Sequence, residues 1–246
     1  MGEPALGALL GVGNEAEVFA CGALVVKLYK PTAPKRSAFR EAAILAAVES
    51  LGLPAPVVRS VRQVGDRWGV LMSRVEGPRF AQAMTQQMEI PPARLNRMAR
   101  LQLQVHGHQA TQFASLKARL AANIRQTPML REARRSILLA ELATMPDGDC
   151  LCHGDFHPHN IMGPLGHEVL IDWLDASRGE SAADVCRTYV LLRPAAPEVA
   201  TAYVDAYSQI SGQSRDAILS WLPFVAAARL AEGVPEVDEL MKMVDG

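Results

Sequence analysis

The chain has no apolar run approaching the roughly 20 residues that a helix needs to cross a bilayer, which excludes a helical membrane span. An excess of positive charge is also missing. With 25 basic residues against 26 acidic ones, nothing favours a phosphate backbone as partner, so no nucleic acid is expected. The opening Met1-Gly2-Glu3-Pro4 lacks the basic start and long apolar stretch of a secretory signal. Gly2 is followed by no Ser or Thr at the sixth position, so a myristoyl anchor is not expected either. Internal repeats and low-complexity segments are absent from the sequence. Cysteines number only four, Cys21, Cys150, Cys152 and Cys186. In a chain without a secretory signal they are expected to be reduced, which predicts a cytoplasmic location away from membranes. At 246 residues the chain can bury a substantial core, as one large domain or as two lobes.

Polar function is concentrated in one stretch. Leu151-Cys152-His153-Gly154-Asp155-Phe156-His157-Pro158-His159-Asn160 is followed shortly by Leu170-Ile171-Asp172-Trp173. So many polar groups between two short apolar runs are costly near a core unless something binds there. One reading is a metal cluster of Cys150, Cys152, His153, His157 and His159. Against it, Cys150 and Cys152 alternate along a predicted strand and should point to opposite faces. Cysteine is also among the most often buried residue types, so structural thiols are the competing reading.

The first part of the chain predicts strands. Leu9 to Phe19 reads as strand, turn, strand, with Gly11 and Gly13 able to bring backbone amides close to a polyanion. Ala23 to Tyr29 is β-branched and apolar except for Lys27, which needs either solvent or an acidic partner. A helix from Ser37, its candidate N-cap, to Glu49 supplies one. There Glu41 shares a face with Ile44, Leu45 and Val48, where an unpaired carboxylate would be expensive. A Lys27–Glu41 ion pair would resolve both anomalies; the alternative is a solvated Glu41 at the edge of the stripe. Val57 to Val64 and Trp68 to Val75 then read as antiparallel strands across Gly65-Asp66-Arg67.

After Glu76-Gly77-Pro78 the period becomes helical, which sets a domain boundary between 1–77 and 78–246. Helices are expected from Pro91 to about His108, Phe113 to Gln126, Met129 to Met145, Ser181 to Leu192, Ala195 to Ile210 and Asp216 to Glu232. Arg131, Arg134 and Arg135 are expected to form a solvated face, and His106 and His108 to be structural. The fold class is α+β: a small antiparallel sheet with one helix, then a larger helical part.

Asp155 lies in a loop beyond an apolar strand, five residues before Asn160, and Asp172 ends the next strand. A carboxylate and an amide oxygen are hard ligands suited to Mg²⁺ carrying phosphates. A second carboxylate could accept a hydroxyl proton. With a lysine held by a glutamate and a glycine turn, these are the parts required for phosphoryl transfer.

His153-Gly154-Asp155-Phe156-His157-Pro158-His159-Asn160 with Ile171-Asp172-Trp173 resembles the aminoglycoside phosphotransferase and choline kinase family of small-molecule kinases. The resemblance runs in order from about Leu9 to Glu232 and implies the bilobal protein-kinase-like fold, ATP and Mg²⁺ as cofactors, and a small-molecule hydroxyl acceptor. By that resemblance Asp155 would be the catalytic base, or would orient the acceptor hydroxyl, and Asn160 and Asp172 would hold the metal. Lys27, held by Glu41, would contact phosphates beneath the backbone of Gly11 to Glu15, including Gly13 and Asn14. Met72 to Val75, including Arg74, would line the adenine pocket. Asp184 resembles a buried aspartate that supports the catalytic loop.

Two departures from protein kinases are Ala16 in place of a third glycine and His157 two residues after Asp155, where a lysine is common. His157 is expected to help neutralise the transferring phosphoryl group, or merely to pack the loop. Asp205, Glu232, Glu236, Asp238 and Glu239 near the C-terminus would suit a cationic acceptor. The contrasting reading is a catalytically silent nucleotide-binding or interaction protein on the same scaffold, which would have no need of all five of Lys27, Glu41, Asp155, Asn160 and Asp172.

Overall fold

The structure, a computed structural model, describes residues 6–85 and 91–245, the side chains of 83–85 excepted. The opening Met1 to Pro4, read above for targeting signals, lies outside the described residues. The elements begin with strands β1 (Leu9–Val12), β2 (Ala16–Cys21) and β3 (Leu24–Tyr29), helix α1 (Lys35–Ser50), then β4 (Val58–Val64) and β5 (Arg67–Ser73). Helices α2 (Phe80–Thr85), α3 (Pro92–His106), α4 (Leu116–Gln126) and α5 (Glu132–Thr144) follow. Four short strands come next: β6 (Cys150–Cys152), β7 (Ile161–Met162), β8 (Val169–Leu170) and β9 (Ser177–Gly179). The chain closes with α6 (Ser181–Leu192), α7 (Pro197–Ser211), α8 (Arg215–Leu219), α9 (Leu222–Arg229) and α10 (Val237–Asp245).

Two compact units emerge. One holds Met1–Ala83 with His159–Leu174, the other Met84–Pro158 with Asp175–Gly246. The chain therefore returns to the sheet-bearing unit for sixteen residues and brings β7 and β8 with it.

In the first unit five antiparallel strands are ordered β1-β2-β3-β5-β4. The β4–β5 hairpin closes on two residues, with Val64 opposite Arg67 and Gly65 at φ 59°. That left-handed conformation suits glycine and matches the strand twist. Helix α1 buries Ala38, Glu41, Ala42, Leu45 and Val48, one stripe at helical spacing packed near β4 and β5. Its start differs from expectation. Pro34 stands at the N-cap and the helix begins at Lys35, so Ser37 lies inside the first turn and makes no side-chain cap. The extended backbone of Pro34 feeds the helix directly, and its carbonyl accepts from Ser37 N–H at 2.9 Å.

The second unit packs α3 on α7, α6 on α7 and α9, and α4 and α10 on α9. Nearly every side chain of α6 is buried, which makes it the central helix of this unit. The expected helix 113–126 starts at Leu116, because Ser115 caps it by accepting from Ala118 N–H at 3.1 Å. The expected helix 216–232 is divided into α8 and α9 at Ser220-Trp221, where Pro223 occupies the first turn of α9. Nor are the arginines before and within α5 all a solvated face. Arg135 donates to the carbonyls of Thr127 and Leu130 at 2.8 and 3.0 Å, and Arg134 donates to that of Val244.

Candidate active site

The sheet-bearing unit brings two predicted carboxylates, Glu41 and Asp172, onto the predicted cation Lys27. Lys27 and Tyr29 lie two residues apart on β3 and so share a face. Lys27 Nζ donates at 2.8 Å to Glu41 Oε1 and at 2.8 Å to Asp172 Oδ1. Tyr29 O–H takes the other oxygen of Glu41 at 2.6 Å. Glu41 is 2% exposed and both its oxygens are used, which answers the anomaly of a carboxylate on an apolar stripe. Asp172 is 46% exposed. Burial alone would lower the Lys27 pKa, but the charges of Glu41 and Asp172 outweigh it and hold the ammonium above its ordinary value. Burial and the charge of Glu41 push the Tyr29 hydroxyl up as well, so it stays a donor.

Asn160 and Asp172 flank the short β7–β8 hairpin. Ile161 pairs with Leu170 and Met162 with Val169, and Ile171 N–H donates to the Asn160 carbonyl at 2.9 Å. This ladder leaves Asn160 and Asp172 at the same end of two short strands. The hairpin is pinned to the rest of the unit: Gly163 N–H donates to Pro78 O at 3.0 Å and Leu170 N–H to Pro54 O at 2.8 Å. A Cβ on Gly77, whose φ is 106°, would sit 3.0 Å from Gly163 Cα, so the approach of these two backbones requires glycine. Asp172 itself has φ 62°, the only positive φ outside glycine among the described residues. That conformation is tolerated best by Asn and Asp, and such outliers cluster at functional sites.

The glycine turn belongs to the same unit. Gly11 is opposite Val18 and Val18 opposite Lys27, so the turn's first glycine shares a cross-sheet row with the lysine, about 10 Å away at two strand spacings. Gly13 N–H closes the turn onto Ala16 O at 2.8 Å, with Asn14 exposed at its tip. Met72 on β5 is buried opposite Val25 and shares the face that carries Lys27. Arg74, just beyond β5, is drawn into an ion pair with Glu76 at 2.8 Å.

The helical unit holds Asp155 and His157. His157 Nε2 lies 3.4 Å from Asp155 Oδ2, with the two side chains 22% and 26% exposed. Burial would raise the Asp155 pKa; the hydrogen bond and charge of His157, with Arg187 and His153 beyond, outweigh it and hold the carboxyl well below the usual range. The loop is anchored by Asp184 on α6. Its Oδ1 accepts from Gly154 N–H at 2.8 Å, and its Oδ2 from His153 N–H at 3.1 Å, Gln102 Nε2 at 2.9 Å and His106 Nε2 at 3.0 Å. Desolvation works against the Asp184 charge, but the His106 hydrogen bond leads the interactions that lower its pKa to about 2. A carboxylate only accepts, so His106 carries a proton on Nε2, and Tyr207 O–H meets its Nδ1 at 2.6 Å. Gly154 has φ 81°, and a Cβ there would collide with the Asp175 carbonyl. The glycine of the His-Gly-Asp sequence is thus a steric requirement.

The metal-cluster reading of the histidines finds a different trio here. Among the described residues, the three donors that come within 4.8 Å of one another are His106, Cys152 and Asp184, all buried. Their carboxylate is already taken by four N–H groups, so His106 and Asp184 belong to a hydrogen-bonded network that supports the loop, while the Cys152 thiol donates to the Cys150 and Glu180 carbonyls. Of the acidic residues near the C-terminus, Asp205 pairs with Arg215, Glu232 with Arg187 and Arg229, Glu236 with Arg229 and Glu239 with Arg193. Residues that sequence reasoning missed are Gln102, Arg187 and Tyr207. Gln102 had a legible signal, an amide on the buried stripe of α3 between Met98 and Val105. Arg187 had none; its Nε reaches the Gly154 carbonyl at 3.3 Å only because α6 packs against the loop.

A family model described as the phosphotransferase enzyme family matches residues 8–219. No curated protein sequence matches significantly. Among solved structures, an aminoglycoside-3'-phosphotransferase of type VIII is 21% identical, with 92% of each chain covered and a TM-score of 0.64. A thermostable mutant of aminoglycoside phosphotransferase APH(4)-Ia, in ternary complex with ADP and hygromycin B, is 14% identical over 97% of this chain and 89% of that one, with a TM-score of 0.67. The streptomycin-ATP-APH(2")-IIa ternary complex is 17% identical over 97% and 93%, with a TM-score of 0.65. At these identities the likeness shows the fold, and the protein-kinase-like α+β architecture expected from the sequence is the one found.

Proposed function

The chain belongs to the phosphotransferase enzyme family, and from that premise we propose that it moves the γ-phosphoryl group of ATP to a hydroxyl of a small molecule. The observation that carries this reading is Lys27 held at 2.8 Å by both Glu41 and Asp172. A buried glutamate that fixes a lysine beside a second, half-exposed carboxylate is the arrangement by which a cation is presented to phosphates next to a metal ligand. ATP as donor is supported by the solved relatives that hold ADP or ATP.

Asp172 and Asn160 fit a hard divalent cation, since both offer oxygen at one end of a pinned hairpin. When bound there, Mg²⁺ would neutralise charge on the phosphates and orient them. Lys27 would contact the phosphates, the backbone of Gly11, Gly13 and Asn14 would cover them, and Met72 with the segment to Val75 and Arg74 would receive the adenine. In the reaction the acceptor oxygen bonds to the γ-phosphorus as the bond to the β–γ bridging oxygen breaks. The hydroxyl proton passes to Asp155, and ADP leaves. A carboxyl held well below its usual pKa is ionised throughout the physiological range but is a weak base. Asp155 is therefore suited to orienting the hydroxyl early and accepting its proton late. His157, against Oδ2 of Asp155, would fix that carboxylate and offset phosphoryl charge.

For the acceptor, the pairing of Asp205, Glu232, Glu236 and Glu239 with arginines balances the negative charge expected to suit a cationic acceptor. A polyol or an amino alcohol with a single charge is accommodated by that balance. The test is ADP release with Mg·ATP across aminoglycosides, amino alcohols, sugars and nucleosides. Turnover should vanish in folded Asp155→Ala and Asp172→Ala. Failure of the wild-type chain to bind nucleotide with Mg²⁺ would sink the proposal, and His157→Gln with unchanged kcat and pH profile would remove the role given to His157.

A further inference from the structure

Arg79 is among the cations of the sheet-bearing unit that have no role in phosphoryl transfer as proposed. Arg79 follows Gly77-Pro78 and its backbone bridges to Met162 of β7. Its Nη1 donates to the His159 carbonyl at 3.3 Å, next to Asn160 in the chain. Its Nη2 lies 3.9 Å from the position a Cβ on Gly11 would take. The guanidinium thus spans from the first glycine of the turn to the residue preceding a proposed metal ligand. Among the described residues it enters no ion pair with a carboxylate, although Arg67, Arg74, Arg187, Arg193, Arg215 and Arg229 all do.

A planar guanidinium has five N–H donors, and the one hydrogen bond to a carbonyl leaves most of them free for an oxyanion. A polyphosphate that runs beneath a glycine turn toward Asn160 and Asp172 passes this group. Resting on the phosphotransferase reading, we propose that Arg79 is a nucleotide-binding residue that contacts the phosphate chain. Two physical arguments favour phosphate over base as its partner. The charge is uncompensated, so it gains most from an anion. Gly11 is also near, since Nη2 lies 3.9 Å from where its Cβ would stand, so an anion covered by the backbone amides of the turn would be within reach of the guanidinium.

Calorimetry on the full chain with Mg·ATP, Mg·ADP and adenosine separates the possibilities, using Arg79→Ala, Arg79→Lys and the wild type. The expected result is at least a tenfold weaker affinity of Arg79→Ala for Mg·ATP and Mg·ADP, with adenosine affinity within twofold of wild type. Arg79→Lys, which keeps the charge but loses the fork, should recover part of the loss. In turnover, KM for ATP should rise while kcat at saturation changes little, which a residue that only props the hairpin would not produce. Unchanged Mg·ATP affinity in Arg79→Ala overturns the inference, and so does an equal loss for adenosine. Those outcomes leave the phosphotransferase reading standing if Asp172→Ala still abolishes turnover. If the wild-type chain binds no nucleotide at all, both fall together.

Discussion

Asp184→Asn tests how the loop of His153, Gly154 and Asp155 is held, and its cost can be worked from the contacts. Four N–H groups converge on the carboxylate, one on Oδ1 and three on Oδ2. An asparagine has one acceptor oxygen, so its NH₂ must face at least one of those donors whichever way the amide turns. A buried donor left without an acceptor costs about 1–3 kcal/mol. The charge adds to this. Lowering the carboxyl from 3.8 to about 2 corresponds to roughly 2 kcal/mol of native-state stabilisation at neutral pH. Together the substitution should cost about 3–5 kcal/mol, the range for breaking a buried charged network. Because the native pKa is depressed, the ionic part is fully present above the unfolded value. It fades as pH falls from about 4 toward 2. Urea denaturation followed by far-UV circular dichroism and by tryptophan fluorescence, at pH 7 and in steps down to pH 3, reads both parts. The wild-type advantage should be largest at pH 7 and shrink on acidification. A difference below about 1 kcal/mol at pH 7, or one that stays constant with pH, would refute the reasoning.

Gly154→Ala should cost more than a surface change by at least about 2 kcal/mol, because φ is 81° and the new methyl meets the Asp175 carbonyl; thermal unfolding checks it, and a near-wild-type midpoint would contradict the geometry. Asp155→Asn should lower kcat by about 10²–10⁴ while Mg·ATP affinity stays within a few-fold. Since the Asp155 carboxyl is held below its usual range, the wild-type pH–rate profile should show no acid limb from it above about pH 4. A limb that lies near pH 5 and disappears in Asp155→Asn would count against that assignment. Glu41→Gln removes the buried charge that Lys27 and Tyr29 share, and should raise KM for ATP about tenfold or more, with Tyr29→Phe milder. Equal effects of the two changes would mean that the hydroxyl, and not the charge, positions the lysine.

Much of the first unit was legible because its signals are local or reciprocal. Lys27 in an apolar strand and Glu41 on an apolar helical stripe each looked costly alone, and their pairing removed both costs. The His-Gly-Asp and Ile-Asp-Trp segments marked the polar loops for the same reason. What the sequence hid depends on packing. Ser37 resembled a cap by residue type, but Pro34 in extended backbone starts the helix a turn earlier. Some of the charges near the C-terminus looked free because their arginine partners come from distant helices, as with Arg187 on α6 and Glu232 after α9. The crowd of histidines looked like one cluster, yet His157 meets the Asp155 carboxylate, His153 is buried and His106 enters from α3.

The histidine crowd therefore tells less than a single backbone angle does. Asp172 at φ 62° holds a conformation that costs an ordinary residue about 1–3 kcal/mol, and natural chains keep such outliers where the surroundings over-determine them. Here the determinants are visible. The β7–β8 ladder fixes Ile171, Trp173 is fully buried with its Nε1–H on the Leu170 carbonyl at 2.8 Å, and Lys27 draws the carboxylate from the other side. A glycine would relax the backbone at once, but it would leave Lys27 with one carboxylate instead of two. The retention of an aspartate in a glycine conformation, half-exposed and aimed at a buried lysine–glutamate pair, is hard to explain as packing. It is explained if the second carboxylate is needed for something that Lys27 does not supply, which is the role proposed for it as ligand to a hard cation on the phosphates.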